Sequence, residues 1–504
     1  MADESAYDLV ELHEKATQTR IVVIGAGIGG LVSALEFAKL GMQVTVVEAG
    51  PRAGGAIRSG EVAGLPLDLG AESFATRGGH VRRLLDELGL SDRVVDPETG
   101  AGGAWVAGVP RIGAAPLPKG GVLGIPANPF ADDVRRVLGW GGAWRAYVDR
   151  LRPVLTIGHA DSLGALVASR VGRKVLDRLV APVTTGVYSA SPELIDPDVA
   201  APGLNAAITR AGSLTGGVAM LAEERRSAPG GAVQGMRGGM GALVDALVER
   251  LERDGVEVRT GAAAESLERR PGDEWRVHLA ADDEDGAEPL DAHGVVVATE
   301  EGAARRLLAA HAPGLDEDAP VPGPIVDIVT LVLDAPELDA KPRGTGVLTV
   351  PGSHRAKALT HATAKWAWIV DAADPGVHVV RVSFGSASEE PATSGLRDEE
   401  VAELALAEAS QLLGVTLTRD QLRDQRLERY AQSQPASTIG QKQHTARARA
   451  AIRTVPCVGA VGAWLAGTGL AQVVPDAIAE TDRVRRAVLF ESDAASDASG
   501  EKDS

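Results

Sequence analysis

The stretch Arg20–Glu48 reads RIVVIGAGIGGLVSALEFAKLGMQVTVVE, and its pattern decides the fold. Arg20–Ile24 (RIVVI) is a short apolar run rich in β-branched residues, the signature of a parallel strand buried on both faces. Gly29–Leu40 follows with Leu31, Val32, Leu35 and Ala38 at helical spacing and Gly41 beyond its end, so a helix is expected there. Val44–Val47 is a second strand, and strand, helix and strand together make a βαβ unit. The turn between the first strand and the helix, Gly25-Ala26-Gly27-Ile28-Gly29-Gly30, places glycines at 25, 27 and 30 in the spacing GxGxxG, and Glu48 closes the second strand 23 residues after Gly25. Gly25 allows the tight turn, Gly27 lets backbone amides approach a pyrophosphate at the positive end of the helix, and Gly30 lets helix and strand pack closely. Glu48 is placed to accept hydrogen bonds from a ribose diol. The unit therefore predicts a dinucleotide with an adenosine diphosphate half, which NAD and FAD both contain.

A second helix-to-strand unit starts at Gly238, Gly239 and Gly241, runs through Leu243–Leu251, turns at Gly255 and enters Val256-Glu257-Val258; Val295–Ala298 reads as a further buried strand. Thr454–Pro475 carries no charge over 22 positions, long enough for a membrane-spanning helix. Gly459, Gly462, Gly467 and Gly469, with Thr468 and Gln472, divide it instead into a buried strand, a glycine turn and the start of a helix whose N-terminus faces a ligand. The expected fold class is α/β: a discontinuous Rossmann-like dinucleotide domain from residues 20–80, 231–305 and 450–490, with an α+β substrate domain inserted at 81–230 and 306–449 that includes a helical subdomain over about 100–210. Residues 1–19 and 491–504, polar and without period, are expected to be mobile tails.

With 504 residues and 44% hydrophobic content the chain can bury a large core. Its 51 Lys and Arg against 69 Asp and Glu give a net charge of −18, which argues against nucleic acid as a partner. A single cysteine, Cys457, forbids an intramolecular disulfide and a CxxC pair and points to the cytoplasm. Met1–Arg20 carries Asp3, Glu4, Asp8 and Glu11 without an apolar core, so no secretory leader is expected. The histidines form no HExxH or other close pair and no metal site is expected; a GxSxG elbow is also missing, which leaves hydrolase chemistry without a foothold. Between Gly102 and Leu155, Trp105, Phe130, Trp140 and Trp144 stand among charges, the pattern of a cavity wall or of a weak surface anchor. No transmembrane segment is expected, and peripheral membrane contact stays open.

The residues after Glu48 narrow the choice of cofactor. Glu48–Gly55 (EAGPRAGG) continues into Ile57-Arg58-Ser59 and then Asp68–Phe74 (DLGAESF). Paired glycines directly after the acidic strand mark a second close approach of backbone to ligand. This run resembles the FAD-binding amine oxidase superfamily, whose members place the Arg and paired glycines beside the FAD pyrophosphate and ribityl chain. Within it, Leu69–Arg77 (LGAESFATR), Pro116-Leu117-Pro118 with Leu123–Pro126 (LGIP), Leu179–Ser189 (LVAPVTTGVYS), His361–Trp366 (HATAKW), Arg381–Gly385 (RVSFG) and Ala463–Ala477 (AWLAGTGLAQVVPDA) are similar to the protoporphyrinogen and coproporphyrinogen oxidases of haem biosynthesis, above all to the bacterial branch that makes coproporphyrin III. The resemblance spans roughly residues 20 to 485.

The resemblance implies roles for particular residues. FAD contacts fall on Gly25, Gly27, Gly29, Gly30, Glu48, Arg52, Gly54 and Gly55; Val258 meets the adenine region. Gly462, Gly469, Leu470 and Ala471 bring backbone amides to the isoalloxazine, where reduction deposits negative charge. The implied reaction is oxidation of coproporphyrinogen III to coproporphyrin III in three two-electron steps, with hydride passing from a bridging methylene to flavin N5 and O₂ reduced to H₂O₂. Protoporphyrinogen IX as substrate and a catalytically silent FAD-binding scaffold are the alternatives. No residue is assigned as a catalytic acid or base. The tetrapyrrole brings four carboxylates, so an acidic protein must concentrate positive charge in its cleft; Arg77 is the first candidate, then Lys365 and Arg58, with Tyr188 stacking on the macrocycle. The chain departs from the family where a Gln-Tyr pair and a later Gly-His are common: it reads Gln434-Pro435-Ala436-Ser437 and Gly440-Gln441. Monomer and homodimer both stay open.

Overall fold

The computed structural model describes residues 9–152, 162–226, 233–280, 287–315, 322–431 and 437–491. The tail readings for residues 1–8 and 492–504, and the departure at Gln434–Ala436, lie outside the described residues.

A five-stranded parallel sheet is built from β1 (Arg20–Ile24), β2 (Gln43–Glu48), β3 (Glu257–Thr260), β4 (Gly294–Val297) and β5 (Val458–Ala460), in the order β3-β2-β1-β4-β5. Ile24 stands opposite Val47 on one side and Val297 on the other. Alternate residues of β1 serve two cores, which is why the strand reads as a continuous apolar run. Ile21 and Val23 pack against three helices: Ile28–Ala38, Gly241–Arg253 and Leu470–Arg486. Val22 and Ile24 pack on the opposite face with Trp275, Val277, Leu307 and Ile452, from an antiparallel meander (264–269, 275–279, 290–292) and two further helices.

The N-terminal segment differs from expectation. Residues 9–18 form helix α1 (Leu9–Gln18) rather than belonging to a mobile tail. The cover comes from the far end of the chain: Ala16 is buried in the same core as β1, and Lys15 Nζ donates to the carbonyl of Leu489 at 2.5 Å. A short polar segment becomes helical here because a distant segment supplies its packing partner. The helices that cover the sheet are numbered α2 (Ile28–Ala38), α3 (Gly241–Arg253) and α4 (Leu470–Arg486) below.

A second sheet has seven strands in the order 422–431, 325–334, 377–384, 358–361, 346–349, 104–109, 113–116. Its pairings are antiparallel except for Gly346–Thr349 beside Ala104–Val109, which is parallel. The Asp398–Leu413 helix packs on one face through Val401, Ala405, Ala409 and Leu412. The helical elements run from Asp132 to Arg226 around a core of their own, later than the expected window of about 100–210. Residues 104–116 are strands because Val106, Ala107 and Val109 bury against the sheet edge and pair with 346–349. The uncharged stretch from Thr454 resolves into β5, the short helix Ala463–Ala466 and the first turns of α4. Among the described residues, no helix is long and apolar enough to cross a membrane.

Candidate functional site

Three strand-to-helix turns meet at the C-terminal ends of β1, β4 and β5, the edge of a parallel sheet where ligands bind. Gly25 has φ +105°, its N–H donates to Val47 O at 2.7 Å, and a methyl there would lie 2.7 Å from Ala298 O. A methyl on Gly30 would collide with the carbonyl of Gly25, so α2 rests directly on the turn. Gly29 abuts Val461 and Gly462, at 3.3 and 3.5 Å from its would-be methyl. Gly27 differs from all of these, because nothing of the protein lies within 4 Å of where its methyl would be. The close contacts explain Gly25 and Gly30 by packing alone; the open space over Gly27 does not serve packing and fits a ligand.

The groups around that space are donors and one carboxylate. Leu31 N–H is the first in α2 to find a helical acceptor, Gly27 O at 3.0 Å, so the amides of residues 28–30 stay free of the helix and point along its positive end. Gly54 lies alongside, bridged to Gly27 and donating to Ala26 O at 2.8 Å, with Gly55 following. Glu48 accepts from Ala26 N and Gly50 N, both at 2.8 Å. These bonds fix its carboxylate at the rim while leaving lone pairs for further donors. Val258 is half-buried on β3, paired with Val46, and Thr260 stands opposite Glu48. From the other side come Gly462, with φ +122°, and Gly469, whose carbonyl accepts from Gln472 N and Val473 N. The amides of Leu470 and Ala471 therefore have no helical acceptor. Arg52 is exposed, with Nη1 donating to Ser59 O at 3.2 Å. An open glycine, two helix N-termini and a fixed carboxylate suit the pyrophosphate, ring and ribose of a dinucleotide.

The candidate substrate cations separate. Arg77 is exposed and has no partner among the described residues. Lys365, expected as a substrate contact, pairs with Glu72 and lies 4.9 Å over the Trp366 ring while staying partly exposed. Arg381 meets the same carboxylate at 2.9 Å and donates to Leu69 O and Gly70 O at 2.9 and 2.6 Å. Burial works against the Glu72 charge, but Lys365 and Arg381 hold its carboxyl below the usual range. This clamp seats the Leu69–Arg77 loop against the second sheet, and local sequence gave no sign of it. Asp68, at the start of the loop, accepts from Met240 N at 2.8 and 3.0 Å, and burial raises its pKa to about 6. Arg58 is also engaged, with Glu428 at 3.1 Å and over the Tyr430 ring at 5.0 Å. Tyr188 ends the Ala181–Tyr188 helix, half-buried against the helical core. Phe130 and Trp144 make an edge contact at 5.1 Å, and Trp140 and Trp144 are 62% and 56% exposed, so this aromatic group sits on the surface of the helical layer. Trp105 is a half-buried member of the second sheet.

Turns meeting over an open glycine, with a carboxylate closing the second strand of a parallel sheet, define an α/β protein of the Rossmann-like type. More particularly, the chain belongs to the family described as flavin containing amine oxidoreductase, which matches residues 28–489. It is 31% identical over 483 residues to a protein of Mycobacterium tuberculosis named coproporphyrinogen III oxidase, covering 94% of this chain and 98% of that one. A Bacillus subtilis protein of the same name is 26% identical over 478 residues, 91% of this chain and 95% of that one. Among solved structures, a putative protoporphyrinogen oxidase from an Exiguobacterium species superposes with a TM-score of 0.78 at 24% identity, over 93% of this chain and 98% of that one.

Proposed function

We propose that this protein is an FAD-dependent oxidase of coproporphyrinogen III, forming coproporphyrin III for haem biosynthesis with O₂ reduced to H₂O₂, and that it works in the cytoplasm, where a lone cysteine stays reduced. The observation that carries this reading is end-to-end similarity, 94% of this chain against 98% of a relative so named, in a chain whose glycine turn keeps an open approach over Gly27. The dinucleotide unit would comprise residues 20–80, 231–305 and 450–490, with the remaining segments enclosing the substrate.

In that reading the amides of residues 28–30, with Gly54, Gly55 and Arg52, hold the pyrophosphate and ribityl region, Glu48 the ribose diol, and Val258 flanks the adenine. The amides of Leu470 and Ala471 face the flavin ring, where a helix N-terminus favours negative charge. Bound there, FAD supplies a two-electron acceptor, so removal of six hydrogens takes three rounds. Arg77, exposed and without a partner among the described residues, draws a propionate carboxylate to the rim. Lys365 and Arg381 serve indirectly, by neutralising Glu72 and keeping the Leu69–Arg77 loop seated. Tyr188 contributes an apolar face to the macrocycle.

The test is direct. Anaerobically prepared coproporphyrinogen III, mixed with the flavin-loaded protein and then O₂, should yield fluorescent porphyrin and about three H₂O₂ per macrocycle, as three two-electron steps require. No conversion sinks the proposal. Protoporphyrinogen IX is the second reading, favoured by a 26% identical stretch of 266 residues in an Arabidopsis thaliana protein named protoporphyrinogen oxidase 2; the ratio of kcat/KM on the two substrates decides between them.

A further inference from the structure

Away from the dinucleotide turns, a cavity of about 260 Å³ lies between the helical layer and one end of the seven-stranded sheet, and none of the residues assigned above lines it. Lys357 is among the residues that line it, and is only 9% exposed. Its backbone is fixed on the sheet, with N–H donating to Ser383 O at 2.9 Å. Its ammonium donates to Ser189 Oγ at 2.6 Å. Ser189 is itself anchored: it holds φ +54° at the end of the Ala181–Tyr188 helix, and its carbonyl accepts from Ala387 N at 2.8 Å. A hydroxyl solvates a buried ammonium but does not neutralise it. Asp177, Glu193, Glu389, Arg355 and His354 also face the cavity, yet none of the three carboxylates pairs with Lys357. Burial alone lowers its pKa, to about 8, with no carboxylate opposing the shift.

We propose that this cavity is a binding site for a monoanionic carboxylate, with Lys357 Nζ as the charge partner and Ser189 Oγ beside it. A buried cation on the wall of a cavity, held by two segments of the fold and without a counter-ion among the described residues, is complementary to one negative charge. A dianion such as phosphate is disfavoured, because Asp177, Glu193 and Glu389 share the cavity and would repel the second charge. The proposal does not rest on the redox reading.

The experiment uses the full chain and propionate as the probe, titrated calorimetrically against matched sodium chloride. Binding is expected at pH 7 and should weaken about tenfold by pH 9, since the protonated fraction of a group titrating near 8 falls by that factor. Burial lowers the pKa of His354, so it is uncharged across this window and cannot produce the loss. Lys357→Met should abolish the propionate heat, whereas Lys357→Arg should keep it and remove the pH dependence, because a guanidinium does not deprotonate. The proposal is overturned by no heat beyond chloride at pH 7, by wild-type binding in a folded Lys357→Met, or by equal affinity at pH 7 and 9. The last comparison needs no variant and decides the matter should Lys357→Met not fold. Repeating the titration with coproporphyrin III present separates the sources: competition assigns the carboxylate to a tetrapyrrole side arm and independence to a free small acid, and both outcomes support the site.

Discussion

Two glycines of one turn should respond differently to the same mutation, one losing binding alone and the other losing stability as well. Gly27 has φ −69° and ψ 172°, an extended conformation open to any residue, and a methyl on it meets no protein atom within 4 Å. Gly27→Ala therefore removes freedom from the unfolded chain, worth about 0.4–1 kcal/mol. The poorer helix cap that alanine makes offsets this by about 0.5 kcal/mol or more. The ligand-free protein should thus change by less than about 1 kcal/mol. With a dinucleotide across the turn, the methyl occupies ligand space, and overpacking of that kind costs about 1–3 kcal/mol, roughly a 5- to 150-fold rise in Kd. Gly30→Ala drives its methyl into the Gly25 carbonyl, so α2 must leave the turn, and stability and binding fall together. Flavin fluorescence quenching on apoprotein gives Kd, and thermal unfolding of the same samples gives stability. If Gly27→Ala binds FAD as the wild type does, the cofactor does not lie over this turn and the reasoning fails.

Three further outcomes follow from the charges around the Leu69–Arg77 loop. Glu72→Gln leaves Lys365 and Arg381 without their shared carboxylate and should cost about 3–5 kcal/mol in urea denaturation; adding Lys365→Met should recover part of that loss, and an unchanged midpoint in the single variant would show the clamp to be inert. Asp68 has a folded pKa of about 6 against an ordinary 3.8, so the stability it contributes is present below pH 3.8 and is lost as pH rises through 6, by about 3 kcal/mol at 1.36 kcal/mol per unit. Asp68→Asn should remove that slope, and a wild-type-minus-variant difference constant from pH 4 to 7 would contradict it. Arg77→Ala should raise KM for coproporphyrinogen III about fivefold, for a rim charge worth about 1 kcal/mol, more so at low salt, while kcat and Tm stay put; an unaltered KM would leave Arg77 outside substrate binding.

The parallel sheet was legible because its information is local. RIVVI announces a strand with two buried faces, GAGIGG announces a turn under a helix, and the same grammar recurs at Gly238–Val258 and Val458–Leu470. The glycine positions meet in space because strand order follows from such units. What was not legible depends on partners far along the chain. Lys365 reads as an available cation until Glu72, 293 residues earlier, is found beside it. Helix α1 reads as a polar segment, and its cover lies near Leu489. The strands at 104–116 sit in the expected helical window because their pairing partner is at 346–349. Lys357 carries no motif, and its isolation emerges only when Ser189 and Ser383 close around it.

The β3-β2-β1-β4-β5 order has a consequence for how the protein is made. Strands β1 and β2 leave the ribosome first, but β5 and the N-terminus of α4 are encoded after residue 457. A nascent chain thus carries an unfinished sheet until β5 is made, and from Val297 to Val458 its exposed β4 edge waits for a partner. Yellow colour should appear only once β5 and α4 have been made, and a product ending at residue 456 should stay colourless and depend on chaperones to remain in solution.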